Sequence, residues 1–212
     1  MADELVFYAN PMSRARIVRW MLEEVGEPYR TEILDYGTTM KAPAYLAINP
    51  MGKVPALKHG DTVITEAAAI CAYLADAFPG KRLAPPPGDR MRGPYYRWLF
   101  FAAGPLEAAT TNKALGFVVP HERERMAGYG TFDHVIDALE TAVSGTDYIT
   151  GHDFSAADVY LGCQIGWGMQ FGTIEKRPAF ERYWQRLAKR PAWIKASEID
   201  DKLMAEMKKK VS

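Results

Sequence analysis

Hydrophobic residues follow two different periods along the first 78 residues. Leu5 to Ala9 form a short apolar run that predicts a buried strand. Apolar residues then recur at helical spacing from Ala15 to Val25, behind Ser13, which can cap the helix. Residues 29–35 predict a second strand. Because a helix connects the two strands, we expect them to be parallel.

The stretch from 49 to 66, Asn-Pro-Met-Gly-Lys-Val-Pro-Ala-Leu-Lys-His-Gly-Asp-Thr-Val-Ile-Thr-Glu, predicts a turn, a hairpin and a helix start. A short irregular helix over 42–48 precedes it. Pro55 stands at the first position of a short strand, where proline is tolerated. Gly60-Asp61 separates this strand from a second apolar run, which is typical of a tight β-hairpin. A helix begins at Glu66 and runs to about Phe78, and the free N–H groups at its start suit an anion.

The rest of the chain contains no strand pattern. Residues 80–90 are rich in proline and predict a linker. Helical patterns follow over 91–115, with a kink expected at Gly104-Pro105, and over 122–143. Further helices start at Ser155, where Ser155 and Asp158 form a capping box, and at Pro178 and Pro191. We therefore predict an α/β domain over 1–79 and an all-helical domain over 91–212.

Composition excludes several classes of protein. Lys and Arg (26) balance Asp and Glu (26), which argues against binding to nucleic acid through a strongly basic surface. No apolar stretch is long enough to span a bilayer, and no signal peptide is apparent. Two cysteines without a pairing pattern fit a reducing compartment, so a cytoplasmic location is expected. The four histidines do not cluster with carboxylates at metal spacing, and we predict no metal.

The order of residues from 49 to 70 closely resembles the glutathione-binding half of cytosolic glutathione transferases. Val54-Pro55 matches the family's Val-Pro pair, in which the proline is cis and the backbone pairs with the cysteinyl unit of glutathione. Glu66 matches the Glu of the family's Glu/Gln-Ser pair, whereas Ala67 stands where the Ser is usual. The resemblance implies a thioredoxin-like first domain with a mixed four-stranded sheet, and a second, helical domain. It also implies a bacterial-type homodimer with glutathione as co-substrate.

The family resemblance assigns roles in catalysis. A hydroxyl near the sulfur of glutathione favours the thiolate, which then attacks an electrophile. Ser13 lies where serine-type members place this hydroxyl, and Tyr8 lies close to the position used by tyrosine-type members. We favour Ser13 and read Tyr8 as a core or edge tyrosine. No cysteine lies between Tyr8 and Arg16, which argues against glutaredoxin-like chemistry.

The remaining site residues are also inferred from the resemblance. Glu66 is expected to bind the amine of glutathione, and Thr65 with the N–H of Ala67 its γ-glutamyl carboxylate. Lys41 and Lys53 are both candidates for the glycyl carboxylate. The pocket for the small electrophilic substrate is expected to contain Met12, Tyr95, Trp98 and Phe101.

Two other functions fit the same residues. One is a glutathione-dependent peroxidase or isomerase. The other is a catalytically silent glutathione-binding or regulatory protein, which Ala67 favours because the usual serine is missing.

Overall fold

The computed structural model describes residues 3–211 of the chain. Met1, Ala2 and Ser212, at the ends of the two expected domains, lie outside the described residues. The chain divides into two compact units. The first unit contains the chain up to Lys81 together with the segment from Arg190 onwards, and the second unit is Arg82–Lys189.

The first unit is built on a four-stranded sheet. Its strands are β1 (Leu5–Ala9), β2 (Tyr29–Ile33), β3 (Ala56–His59) and β4 (Thr62–Thr65), in the order β2-β1-β3-β4. β1 is parallel to β2, whereas β3 is antiparallel to both β1 and β4. The predicted mixed sheet, its parallel pair and the β3–β4 hairpin are confirmed.

Helices make up most of the remaining described structure. They are α1 (Ala15–Val25), α2 (Pro43–Leu46), α3 (Ala67–Ala77), α4 (Arg92–Phe101), α5 (Glu107–Ala114), α6 (Phe132–Ser144), α7 (Ala156–Phe171), α8 (Pro178–Leu187) and α9 (Pro191–Val211). Tight helical turns also occur at Thr39–Lys41, Pro79–Lys81 and His121–Met126. α1 and α3 pack against each other and against the sheet, and their buried side chains form the core of the first unit.

The last helix does not lie in the unit expected from the sequence. We expected it in the helical domain over 91–212, but α9 packs on α1 and belongs to the first unit. The indole rings of Trp20 and Trp193 lie 5.1 Å apart between the two helices. Opposite charges join the same segments: Arg19 with Asp200 (2.7 Å), Glu24 with Arg190 (2.6 Å) and Glu23 with Lys195 (2.6 Å). These partners are distant in the sequence, so local patterns could not reveal the pairing.

The helical unit departs from the predicted boundaries at two places. The kink expected at Gly104-Pro105 is a π-helical turn over Ala102–Leu106, which separates α4 from α5. The single helix expected over 122–143 is wrong: a 3₁₀ turn ends at Met126, and α6 begins only at Phe132. Gly128 and Gly130 lie in the gap, and Gly130 has a φ of 67°, which helical residues do not adopt.

The predicted capping box at the start of α7 is present. Asp158 is wholly buried, and its carboxylate accepts hydrogen bonds from the N–H groups of Ile149 (2.7 Å) and Ser155 (2.9 Å). The hydroxyl of Tyr183 donates a further bond of 2.8 Å. Burial raises the pKa of Asp158 to about 6, although the hydrogen bonds act in the opposite direction. Asp158 thus ties the start of α7 to the preceding loop and to α8.

The buried pair between Arg19 and Asp200 generates a prediction about stability. The two side chains are 2% and 3% exposed. Asp200→Ala leaves the Arg19 guanidinium buried without its carboxylate, which typically costs about 3–5 kcal/mol. Urea unfolding followed by circular dichroism should therefore show a large drop in the free energy of unfolding.

The neighbouring residue provides the matched control. Asp201 pairs with Arg16, but its side chain is 61% exposed. Because exposed pairs contribute about 0–1 kcal/mol, Asp201→Ala should change the free energy of unfolding little. Equal effects of the two substitutions would show that burial of the first pair is not what makes it important.

Candidate functional site

Strand register brings the predicted site residues to one edge of the sheet. Tyr8 pairs with Ala56, and Ala56 pairs with Thr65. The end of β1, the start of β3 and the end of β4 therefore lie side by side. Ser13 follows the end of β1, Pro55 directly precedes β3, and Glu66 directly follows β4.

Ser13 lies in the turn between β1 and α1 and is half-buried. Its hydroxyl donates a 2.7 Å hydrogen bond to the carbonyl of Asn10 and accepts one of 3.0 Å from the N–H of Ala15, the first residue of α1. The hydroxyl therefore lies at the helix N-terminus, where the dipole and backbone N–H groups favour an anion.

Tyr8 has a different environment. Its half-buried ring lies 5.5 Å from the ring of Tyr45, in an apolar cluster that includes Met40 and Ala56. Tyr8 also borders a recess of about 400 Å³, whose other lining residues are Asp3, Glu4, Val6, Arg30, Lys58, Gly60 and Asp61. Most of these belong to the opposite end of the strands, away from the turn that carries Ser13.

The segment before β3 has the predicted cis peptide bond between Val54 and Pro55. The carbonyl of the preceding residue, Lys53, accepts two hydrogen bonds, one from the hydroxyl of Tyr45 (2.6 Å) and one from Nδ2 of Asn49 (2.8 Å). Burial raises the pKa of Tyr45 to about 12, so its hydroxyl remains a donor at neutral pH. These two donors fix the backbone just ahead of Val54.

The two candidate lysines differ in how firmly they are held. Nζ of Lys41 donates to the carbonyls of Gly52 (2.7 Å) and Met51 (3.3 Å), whereas the Lys53 side chain is exposed. Gly52 has a φ of 56°, and a Cβ there would lie 2.8 Å from Nζ of Lys41. Only glycine therefore permits both the backbone conformation and the position of the ammonium group. An ammonium has three donors, so one donor of Lys41 remains for a ligand.

Glu66 is the exposed N-cap residue of α3 and has an unusual backbone conformation, with φ 68° and ψ 120°. Side-chain-bearing residues rarely adopt positive φ, and such strain clusters at functional sites. Ala67 begins α3 and is buried, and its side chain offers no polar group, so its only hydrogen-bond donor is the backbone N–H.

The residues predicted to contact the small electrophilic substrate belong to different units. Met12 of the first unit is 54% exposed. In the helical unit, Trp98 is 7% exposed, and its ring lies 5.2 Å from the half-buried ring of Phe101. Tyr95 is 0% exposed, so we correct its assignment: the ring is a core side chain of α4.

The described residues offer no alternative centre for thiol or metal chemistry. Cys71 and Cys163 are both buried, and burial raises the pKa of the Cys71 thiol far above neutrality. Within residues 3–211 no group of three or more His, Cys, Asp or Glu side chains is placed to hold a metal ion. In the same range no helix combines the length and apolarity needed to cross a bilayer.

Sequence reasoning missed the residues that hold the two turns of the site, namely Asn10, Tyr45 and Asn49. Asn10 is 0% exposed and Asn49 5% exposed, which is unusual for asparagine. The sequence does contain a pointer, because each asparagine begins an Asn-Pro-Met tripeptide. No comparable sequence motif distinguishes Tyr45.

Comparison with known proteins agrees with this geometry. The family model for the glutathione S-transferase N-terminal domain matches residues 11–77, and the model for the C-terminal domain matches residues 106–191. Glutathione S-transferase GstA of Escherichia coli O157:H7 is 30% identical over 76% of this chain and 78% of its own length. The chain belongs to the glutathione S-transferase family. The predicted family, fold class and general type of function are thereby confirmed.

Solved glutathione transferases have the same fold. A glutathione transferase from Methylococcus capsulatus is 29% identical and has a TM-score of 0.78, with 93% of this chain and 98% of that chain covered. A sphingomonad glutathione S-transferase, solved in complex with glutathione, is 28% identical with a TM-score of 0.76, covering 92% and 98%. Both likenesses extend over the two units of this transferase.

The backbone of Glu66 generates a prediction about stability. Residues held at such positive φ values cost about 1–3 kcal/mol. Glu66→Gly removes this strain, while the greater freedom of glycine in the unfolded chain costs about 0.5–1 kcal/mol. We expect the free energy of unfolding, measured in urea, to rise by about 0.5–2 kcal/mol.

Arg82 is the matched control, because it also combines a side chain with a positive φ, here 56°. It lies outside the site, at the start of the helical unit. Arg82→Gly should stabilise the protein to a similar extent. If Glu66→Gly destabilises the protein instead, contacts of the glutamate outweigh the backbone strain.

Proposed function

We propose that this protein is a cytoplasmic, detoxifying glutathione transferase in which Ser13 activates the thiol. The observation that supports this most strongly is that the Ser13 hydroxyl, the cis Val54-Pro55 segment and Glu66 share one edge of the sheet. A tripeptide with a thiol in its middle would meet a hydroxyl at a helix N-terminus and a backbone able to pair with its cysteinyl unit. The two buried cysteines suit the reducing cytoplasm.

Thiol activation requires the Ser13 proton to change its acceptor. In the structure this proton is donated to the carbonyl of Asn10. A neutral hydrogen bond contributes about 0.5–1.5 kcal/mol, whereas a bond to a charged group contributes about 1.5–3 kcal/mol. Donation to a thiolate is therefore favoured over donation to the carbonyl, and the difference of about 1 kcal/mol lowers the thiol pKa by just under one unit.

The charged groups of glutathione have partners at the same edge. Glu66 is exposed and would bind the amine, while Thr65 and the N–H of Ala67, at the start of α3, would bind the γ-glutamyl carboxylate. For the glycyl carboxylate we favour Lys41 over Lys53, because two carbonyls already hold its ammonium in place. Less conformational entropy is then lost on binding.

The reaction is a nucleophilic substitution or addition. The glutathione sulfur supplies the electron pair for a new bond to an electrophilic carbon of a small, largely apolar substrate. In a substitution the leaving group departs with its bonding pair, and the thiol proton is released. Met12, Trp98 and Phe101 remain the residues proposed to contact this substrate.

Ala67 supports one further candidate, a protein that binds glutathione without catalysis. The site lacks the hydroxyl that the family pattern places at this position. Retention on immobilised glutathione followed by an assay with 1-chloro-2,4-dinitrobenzene separates the two functions. Retention with turnover supports the transferase, retention without turnover on this or other electrophiles supports the binder, and no retention contradicts both.

Substitution of the proposed activating group gives a direct test of the mechanism. Ser13→Ala should lower turnover at pH 7 by about ten-fold, because a rise of about one unit in the thiol pKa lowers the fraction of thiolate to this extent. The pH–rate profile should shift upwards, since the thiol now ionises at higher pH. Glutathione affinity, measured by calorimetry, should change little.

Tyr8→Phe is the control for this assignment. The ring of Tyr8 packs with Tyr45 in the apolar cluster, so removal of its hydroxyl should leave turnover and the pH–rate profile nearly intact. Loss of activity in Tyr8→Phe together with a mild effect of Ser13→Ala would reverse the roles of the two residues.

We also propose a homodimer, which is the assembly that the family resemblance implies. Tyr96 and Phe100 lie one turn apart on α4 and are 43% and 73% exposed. Large exposed apolar side chains on one helix face are typical of protein interfaces.

Light scattering at micromolar concentration should report about twice the chain mass of 23.7 kDa. Phe100→Glu places a charge on the exposed face of α4 and should shift the protein towards the monomer. Wild-type protein that is monomeric throughout this concentration range would contradict the proposal.

A further inference from the structure

The site contains two turns of the same construction. Asn10-Pro11-Met12-Ser13 follows β1, and Asn49-Pro50-Met51-Gly52 leads towards β3. In the first turn the Asn10 Oδ1 accepts the N–H of Met12 (2.9 Å), and the Asn10 carbonyl accepts the N–H of Ser13 (3.1 Å). In the second turn the Asn49 Oδ1 accepts the N–H of Met51 (3.1 Å), and its carbonyl accepts the N–H of Gly52 (2.8 Å).

The side-chain amide of each asparagine also donates a hydrogen bond to a carbonyl outside its turn. Nδ2 of Asn10 donates to the carbonyl of Leu34, directly after β2, at 2.8 Å. Nδ2 of Asn49 donates to the carbonyl of Lys53, also at 2.8 Å. Because both side chains are buried, water competes little for these bonds, and each amide acts as donor and acceptor at once.

The two turns carry different parts of the proposed chemistry. The Asn10 carbonyl is the acceptor of the Ser13 hydroxyl proton, so the first turn sets where the thiol-activating group points. The second turn sets the Lys53 carbonyl and thereby the backbone of Val54, which is proposed to pair with the cysteinyl unit. Neither asparagine side chain has to touch glutathione for these effects.

We propose that Asn10 and Asn49 are two positioning residues with separable effects, the first on ionisation of the glutathione thiol and the second on glutathione affinity. This inference rests on the proposed function. Loss of the Asn10 side chain frees the turn that carries Ser13, so the Ser13 hydroxyl no longer stays within hydrogen-bonding distance of the glutathione sulfur. Loss of the Asn49 side chain disorders a backbone segment that binds both the thiol and thiolate forms equally.

The test compares Asn10→Ala with Asn49→Ala, each serving as the control for the other. The pKa of enzyme-bound glutathione is measured from thiolate absorbance in the ultraviolet, and the dissociation constant by calorimetry. Asn10→Ala should raise the bound-thiol pKa by about one unit and lower kcat at pH 6.5 about ten-fold. Its dissociation constant should stay within about two-fold of wild type.

Asn49→Ala should weaken glutathione binding and leave ionisation of the bound thiol unchanged. The dissociation constant for glutathione should rise about ten-fold, while the bound-thiol pKa and kcat at saturating glutathione stay within about two-fold of wild type. Should either alanine variant fail to fold, as judged by circular dichroism, Asn10→Ser and Asn49→Ser replace the pair. Serine retains a short turn-forming oxygen but cannot make the Nδ2 bond.

Three results would count against the inference. If both variants change the same quantity, or if both melt at lower temperature with unchanged pKa, kcat and affinity, the asparagines have only a structural role. An exchange of the two effects would equally overturn it. If wild-type protein itself neither binds nor uses glutathione, the proposed function fails first, which separates the two failures.

Discussion

The antiparallel register between β1 and β3 sets Phe7 opposite Leu57 and Tyr8 opposite Ala56, and the position of the site follows from it. Phe7 and Leu57 are both 0% exposed, so their burial holds the register. A slip of one residue would turn Phe7 to the other face of the sheet and bring Tyr8 into the core. It would also separate the Ser13 turn from the segment that carries Pro55.

The glutathione site proposed at this edge uses backbone groups as well as side chains. The proposed backbone contacts are the N–H groups at the start of α1, the Val54 backbone and the N–H of Ala67. Lys41, Tyr45 and Asn49 fix consecutive carbonyls between Met51 and Lys53. These backbone contacts depend on conformation more than on residue type, except at Gly52, where a side chain would collide with Lys41.

Local patterns were sufficient for the elements whose causes are local. Neighbouring residues predict the Gly60-Asp61 hairpin, the helices that begin at Pro178 and Pro191, and the Ser155–Asp158 capping box. The cis Val54-Pro55 bond was implied by the family resemblance. Family resemblance then placed Ser13 and Glu66, and the register explains why the chain brings them to one edge.

Features with distant causes could not be predicted in this way. Arg19 and Asp200 are 181 positions apart, so nothing near either residue showed that α9 would pack on α1. The positive φ of Glu66 reflects the geometry between β4 and α3, and glutamate gives no sign of it. The anchors Asn10 and Asn49 resemble ordinary turn residues, because burial is what distinguishes them, and burial depends on the folded chain.

The hydrogen bonds around Ser13 are compatible with the thiol activation proposed for this residue. A serine hydroxyl has one proton, and in the structure this proton is donated to the Asn10 carbonyl. The same carbonyl also accepts the backbone N–H of Ser13 at 3.1 Å. In the proposed mechanism the hydroxyl turns towards a thiolate. The carbonyl would then keep one partner, and the penalty of about 1–3 kcal/mol for a buried unpaired group would be avoided. The proposed change of acceptor would cost only the neutral bond from the hydroxyl to the carbonyl, and a charge-assisted bond to the sulfur would be stronger than the bond lost.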